Sequence, residues 1–353
     1  MHKTLLANSF RRTCSDAGVY VHDQWEIILI VYVNDLLPMG PRLDRITLIK
    51  KILVKQFQMQ DLGAATTFLG MRIECDQKNR ILWINQKAYT EGIVLRFDIM
   101  NAKPLQTPLL EGIHLEKASD DYTAKDKFQT NYQAMIGSLI YLMIGSRPDI
   151  AWSVTCLSQY MQNPTQLHVN ACKHIFRYLQ GTLDARITYD GGKNSGLIGY
   201  SDADWGENRD NRQSTTGYVF LMADGAVTWA LQMQKTVAQS SMEAEYMALS
   251  EVRSEIAWLT TLQWEIGYGS KGPVPLVADN QGGIFLAVNP AHDRQLKHID
   301  IRYHFICEYI EEGCVNIVYV STDKMIADTL TKPLGTTKFE EFRSQLGITI
   351  GKS

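Results

Sequence analysis

Four carboxylates lie inside stretches of chain that are otherwise apolar, and any fold of this sequence has to accommodate their charge. Asp202 follows Leu197-Ile198-Gly199-Tyr200, Asp279 follows Leu276-Val277-Ala278, Asp328 sits between Ile326 and Leu330, and Glu245 lies in a helical segment between Met242 and Leu249. Burying an isolated carboxylate is strongly unfavourable, whereas several that converge on a cation are compensated. The four residues therefore point to one shared site for divalent metal.

The register of Glu245 follows from the sequence before it. Ser240-x-x-Glu243 is a capping box that starts a helix and assigns Glu243 to the cap. In that register Glu245 falls with Met242, Leu249, Val252, Ile256 and Leu259 on the face turned to the core. A salt bridge to a nearby Lys or Arg is the alternative to a metal. Strand alternation places Asp202 on the face of Ile198 and Tyr200, though with Asp204 it can also form a turn before Gly206. Asp279 stands at the carboxyl end of a strand, where sheet-based sites gather ligands, but it can equally cap a helix beginning near Asn280. Asp328 carries little weight alone. Together, four carboxylates at these places suit hard cations such as Mg²⁺ and metal-assisted phosphodiester hydrolysis.

The remaining composition narrows the class. The chain has 353 residues, 45% hydrophobic and 21% charged, which is ordinary globular composition and length enough for two or three domains. Its longest apolar run, Ile27 to Val33, is too short to span a bilayer, and no signal segment opens the sequence, so a soluble intracellular protein without a membrane partner is expected. Six cysteines show no C-x-x-C pair and read as reduced thiols. A net charge of -3 argues against nucleic-acid binding by bulk electrostatics. Local clusters remain for phosphate contact or as solvated faces: Arg11-Arg12, Lys50-Lys51, Arg209 with Arg212, and Arg294, Lys297 and Arg302.

Along the chain, Glu26 to Leu37 reads as a hairpin strand closed by Pro38 and Gly40, followed by a helix from Arg42 to Phe57. Two short strands, Thr67 to Glu74 and Ile81 to Asn85, flank the polar turn Asp76 to Arg80. The polar stretch Glu116 to Thr130 is the expected linker, with helices after it at Tyr132 to Gly145, Asp149 to Met161 and Gln166 to Gln180. From Leu197 three strands, a long helix, a strand, helices, a strand and a last helix predict a mixed sheet with helices on its faces.

Several strings resemble the C-terminal part of the polyprotein of copia-type retrotransposons, and together they cover most of the chain. They are Tyr200-Ser-Asp-Ala-Asp-Trp205, Arg212-Gln-Ser-Thr-Thr-Gly-Tyr218, Ser240-Ser-Met-Glu-Ala-Glu-Tyr-Met-Ala-Leu249 and Ala278-Asp-Asn-Gln281. Further on come Lys297-His-Ile-Asp-Ile-Arg-Tyr-His-Phe305 and Ala327-Asp-Thr-Leu-Thr-Lys-Pro-Leu334. The resemblance implies an α/β (α+β) fold: an RNase H-like mixed sheet with flanking helices over 194–345, preceded by a partial reverse-transcriptase palm and thumb over 1–115 and a helical connection over 116–193. Ile136-Gly-Ser-Leu-Ile-Tyr-Leu142 and Arg147-Pro-Asp-Ile150 look like that connection.

The same resemblance implies that Asp202, Glu245, Asp279 and Asp328 form an acidic tetrad holding two Mg²⁺ ions, with Mn²⁺ as substitute, to cut the RNA strand of RNA:DNA hybrids. Other retroelement polyprotein domains are implied partners. Tyr32-Val-Asn-Asp-Leu-Leu37 looks like the palm motif Y-V-D-D-L-L, but Asn34 replaces the first Asp and leaves Asp35 alone. An amide binds Mg²⁺ far less well than a carboxylate. The chain also starts after the fingers and the earlier palm strand of that family, so loss of DNA synthesis is expected. Ala230 to Thr236 carries less lysine than relatives usually have there, which implies weaker phosphate attraction. The spacing of Lys297, His298, Asp300, Arg302 and His304 fits a surface helix, a phosphate contact or a second metal site. The competing class is a catalytically silent remnant that only binds nucleic acid or protein. An integrase or exonuclease on a similar sheet needs acidic motifs at other spacings.

Overall fold

An unbroken apolar run before Tyr32, and apolar residues at helical spacing after Arg42, sort the N-terminal residues into strands and a helix. The computed structural model describes residues 1–119, 121–193, 196–206, 212–289 and 305–351. They group into two compact units, Met1–Leu69 with Ser254–Pro273, and Gly70–Arg253 with Val274–Ser353.

In the first unit, strands Arg11–Arg12, Val19–His22, Ile27–Tyr32 and Asp35–Met39 form an antiparallel sheet in chain order. Ile27 and Leu29 share a core with Leu5, Phe10 and Tyr20, completed by Ile49 and Leu53 from the helix Leu43–Gln56. The expected single strand ending at Pro38 is corrected, because the chain reverses at Val33-Asn34 and Pro38 lies within the return strand, paired with Leu29. That return strand is at the sheet edge, where a residue without an N–H breaks no ladder. Val33 takes a φ of 51°, a conformation that costs a β-branched residue on the order of 1 kcal/mol or more.

In the second unit, strands Met71–Asp76, Ile81–Asn85, Ala185–Asp190 and Ile348–Ile350 pair antiparallel in that order. The helices Asp126–Gly145, Ala151–Ser158 and Gln166–Gln180 match the expected positions, except that the first begins inside the stretch expected as a linker. Asp126 in its first turn suits the positive end of the helix, and Phe128 packs on the core.

The sheet that carries the acidic residues follows. Its strands are β1 (Ile198–Ala203), β2 (Thr215–Met222), β3 (Gly225–Met233), β4 (Val274–Ala278) and β5 (Val315–Tyr319), in the order β3-β2-β1-β4-β5. The first three are antiparallel, and β4 runs parallel to both β1 and β5. This is the mixed sheet expected from the order of strands and helices in the sequence. Val219, Leu221 and Ala226 of this sheet share one buried cluster with Met135, Leu139, Val154 and Phe176 of the preceding helices and with Leu330 and Phe342 near the carboxyl end. Each of the larger of these side chains contributes roughly 1.5–3 kcal/mol of transfer free energy.

A charged lock sits inside that cluster. Arg147 is 2% exposed and donates from Nε and a terminal nitrogen to Asp149, at 2.9 and 2.7 Å. It also donates to the Thr182 hydroxyl and carbonyl, while Tyr178 donates its hydroxyl to Asp149 at 2.5 Å. Every charge in the lock has a partner, so it is tolerated, but removing one partner strands the other in an apolar interior. Asp149→Ala is expected to lower stability by about 3–5 kcal/mol in urea denaturation. A loss under about 1 kcal/mol would mean that water reaches Arg147.

Candidate metal centre

Each acidic side chain reaches the centre through a local device. The helix α1 (Ser241–Glu265) starts as the capping box requires. Ser240 Oγ accepts from the Glu243 N–H at 3.2 Å, and the Glu243 carboxylate reaches back one residue further than expected, accepting from the Gln239 N–H at 2.7 Å. Residues 243–250 are all buried, so this turn of helix is enclosed on every side and not on a single stripe. Glu245 thereby points inward, 6% exposed.

Asp202 lies in β1 opposite Gly217, and Leu276 of β4 pairs with Gly199. Continuing that parallel register puts Asp279 level with Asp202. The helix α2 (Gln281–Val288) is capped by Asn280, whose side chain accepts from the Gly283 N–H at 3.0 Å, so Asp279 is free of the capping role. Two glycines permit the approach. A Cβ on Gly283 would lie 2.9 Å from the Glu245 Cβ, and one on Gly217 would lie 2.7 Å from the Thr331 methyl. Carboxylate oxygens of Asp202, Glu245 and Asp279 come within 4.8 Å of one another.

Asp328 stands differently. It begins the short helix α3 (Asp328–Thr331), has no exposed surface, and is held by two ammonium groups, Lys332 Nζ at 2.7 Å and Lys338 Nζ at 2.8 Å. The structure therefore brings three of the four predicted carboxylates within bridging distance and engages the fourth with lysines. Thr331 and Lys332 of the same segment were not singled out in the sequence, although Lys332 stands one helical turn after Asp328. The Thr331 hydroxyl donates to Asp202 Oδ2.

The electrostatics are those of an excess of buried acid. Burial, reinforced by Asp328 and Asp279, pushes the Asp202 carboxyl up to about 6 against the opposing pull of Lys332 and Thr331. Burial and the charges of Asp202 and Asp279 also raise Glu245 well above the carboxylate range, opposed by a hydrogen bond from the Ala203 backbone. One oxygen of Glu245, Oε2, is buried without a hydrogen-bond partner among the described residues. A hard divalent cation fits this donor set, because it would supply the missing partner and offset the shared charge.

Among the other predicted positions, Asn34 is exposed at the hairpin turn and Asp35 pairs with Tyr32 in the first unit. Lys297, His298 and Arg302, with Arg209, Arg294, Asp300 and His304, lie outside the described residues. No helix among the described residues is long and apolar enough to cross a membrane.

Residues 1–111 match the family described as reverse transcriptase (RNA-dependent DNA polymerase). The Pol polyprotein from transposon TNT 1-94 of Nicotiana tabacum is 38% identical over 97% of this chain and 26% of its own length. The corresponding polyprotein from transposon RE1 of Arabidopsis thaliana is 37% identical over 98% of this chain and 23% of its own. A putative transposon Ty5-1 protein of Saccharomyces cerevisiae is 32% identical over 72% of this chain and 83% of its own length. The chain belongs to the copia-type Pol polyprotein family. It spans about a quarter of the length of the first two of these copia-type relatives. An RNase H1 isolated from compost aligns with 39% of this copia-type chain and 94% of its own, at 18% identity and a TM-score of 0.30.

The raised carboxyls set a pH dependence for this copia-type protein in EDTA. The folded chain holds the Asp202 proton more tightly than the unfolded chain, so this carboxyl's contribution to stability falls as pH rises from about 4 to about 6, and the raised Glu245 carries the decline to higher pH. Asp202→Asn is expected to remove that part of the decline and to stabilise the metal-free protein at pH 7 by on the order of 1–3 kcal/mol. Thermal unfolding in EDTA between pH 4 and 8 checks this, and a destabilised variant at pH 7 would refute the sign.

Proposed function

We propose that this chain cuts the RNA strand of RNA:DNA hybrids, using Mg²⁺, or Mn²⁺ in its place, at Asp202, Glu245 and Asp279, with Asp328 completing a second ion position. The observation that carries this reading is the trio of carboxylates within 4.8 Å, with a buried Glu245 oxygen left without a hydrogen-bond partner among the described residues. Membership of a retroelement polyprotein family supports the hybrid as substrate, a duplex whose 2′-hydroxyls are legible across a shallow minor groove. Bound divalent ions would supply an acidified water and offset charge on the leaving 3′ oxygen.

The chain's own residues account for the preparation of the site. The Thr331 hydroxyl orients Asp202, and the Ala203 backbone favours the charged form of Glu245. The Asn280 cap leaves Asp279 available. Phosphate contact by Lys297, His298 and Arg302 belongs to the same proposal, as does the division into 1–115, 116–193 and 194–345. Wild-type chain is expected to cleave a labelled hybrid in Mg²⁺, with Asp202→Asn and Glu245→Gln each slower by at least about a hundredfold. Tight hybrid binding in EDTA with no cleavage when Mg²⁺ or Mn²⁺ is restored would favour the silent remnant instead.

Polymerase chemistry is proposed to be lost, on the evidence of the turn at Val33-Asn34. The hairpin presents an amide beside Asp35 where the family motif has a second carboxylate, and amides are poor Mg²⁺ ligands. Primer extension on an RNA template is expected to show no dNTP incorporation. Extension by this chain would overturn that reading without touching the nuclease assignment.

A further inference from the structure

Lys332 is paired with Asp328, and its charge is felt by the other three carboxylates, Asp202, Glu245 and Asp279. Its ammonium lies 2.7 Å from Asp328 Oδ1, and its side chain is one-third exposed. We propose that Lys332 is a tethered counter-ion of the acidic centre: it neutralises the metal-free site and swings off Asp328 when divalent ions load. This rests on the metal reading above and adds to it a residue that competes with the metal.

Three observations support the swing. Lys332 also lines an open cavity of about 570 Å³ with Trp152, Tyr160, Asp204, Trp205 and Arg212, so its four-carbon stem has solvent-filled room in which to turn. Lys338 holds Asp328 Oδ2 independently at 2.8 Å, so Asp328 stays anchored when Lys332 leaves. The backbone at Lys332 is already extended, with φ -149° and ψ 156°, so the movement needs no unwinding of α3. An ammonium beside these carboxylates lowers their attraction for a second cation, and the chain exchanges metal affinity for a metal-free state that holds together.

The test uses the full chain with Mn²⁺ and Mg²⁺ as probes. Lys332→Gln keeps a hydrogen-bond donor for Asp328 but deletes the charge. It is expected to tighten Mn²⁺ binding about tenfold by paramagnetic resonance of the free ion, and to enlarge the Mg²⁺-induced rise in Tm. Lys332→Arg is expected to stay within about twofold of wild type, and Lys338→Gln to change Mn²⁺ affinity less than about threefold. In wild-type chain, acetylation of Lys332 by acetic anhydride, read by mass spectrometry, is expected to rise several-fold when Mg²⁺ replaces EDTA. That readout needs no variant to fold.

Unchanged or weaker Mn²⁺ binding in Lys332→Gln, equal tightening in Lys338→Gln, or Lys332 reactivity indifferent to Mg²⁺ would each overturn the counter-ion role. Wild-type chain that binds no Mn²⁺, or binds it undiminished in Asp202→Asn, would overturn the metal reading itself. The two failures are thereby distinct.

Discussion

Negative charge drawn under the end of a β-sheet is the constraint on which the rest of the second unit depends. Asp202, Glu245 and Asp328 are each at most 6% exposed, and water cannot screen them as it would at a surface. Every nearby feature follows from this. Glycine stands at 217 and 283 because a Cβ there would push Thr331 or Glu245 away. Thr331 gives Asp202 a donor, and two lysines hold Asp328. Strip these away and the sheet end becomes a cluster of acids that only protonation or a bound cation could stabilise.

The same unit shows what a closed solution to buried charge looks like. Arg147 and Asp149 match one cation to one anion, and Thr182 and Tyr178 supply further partners. Such a pair is neutral and satisfied, so it locks packing and has no capacity for a ligand. The acidic centre is the opposite case. Among the described residues acid outnumbers base, one Glu245 oxygen has no hydrogen-bond partner, and burial and neighbouring carboxylates raise Asp202 and Glu245. Excess charge with an unmet donor need separates a site from a scaffold.

Much of this was legible before any coordinates, and the reasons are local. The Ser240 cap fixed where a long helix starts and so placed Glu245 in its first turns, which the fold then encloses on every side. Strand alternation put Asp202 on the face of Ile198 and Tyr200 and Asp279 at a strand end, with a turn and a helix cap left open, and the parallel run of β4 beside β1 came only with the fold. What escaped was set by tertiary approach. Nothing near Gly217 announces that Thr331 will lie against it. The three-residue strand Ile348–Ile350 carries too little pattern to be read, and its pairing with Ala185–Asp190 spans a separation in sequence that periodicity cannot register. Val33 takes a conformation that its residue type argues against, so the tight turn was hidden behind Pro38.

The ends of the acidic segment limit how the centre can respond to ligand. Before Asp328, Met325, Ile326 and Ala327 are at most 1% exposed. Beyond Lys338, Phe342 and Leu346 are fully buried, the Leu346 carbonyl accepts from the Ala226 N–H, and Ile348–Ile350 joins the neighbouring sheet. A segment pinned at both sides cannot drift as a body without breaking a packed core, so Asp328 keeps its place. The adjustable part is a long, partly exposed side chain with rotamers to spare, and Lys332 is that side chain. A rigid acid beside a movable base lets the charge of the centre change while its geometry stays, which is what the proposed metal site requires in its loaded and empty states.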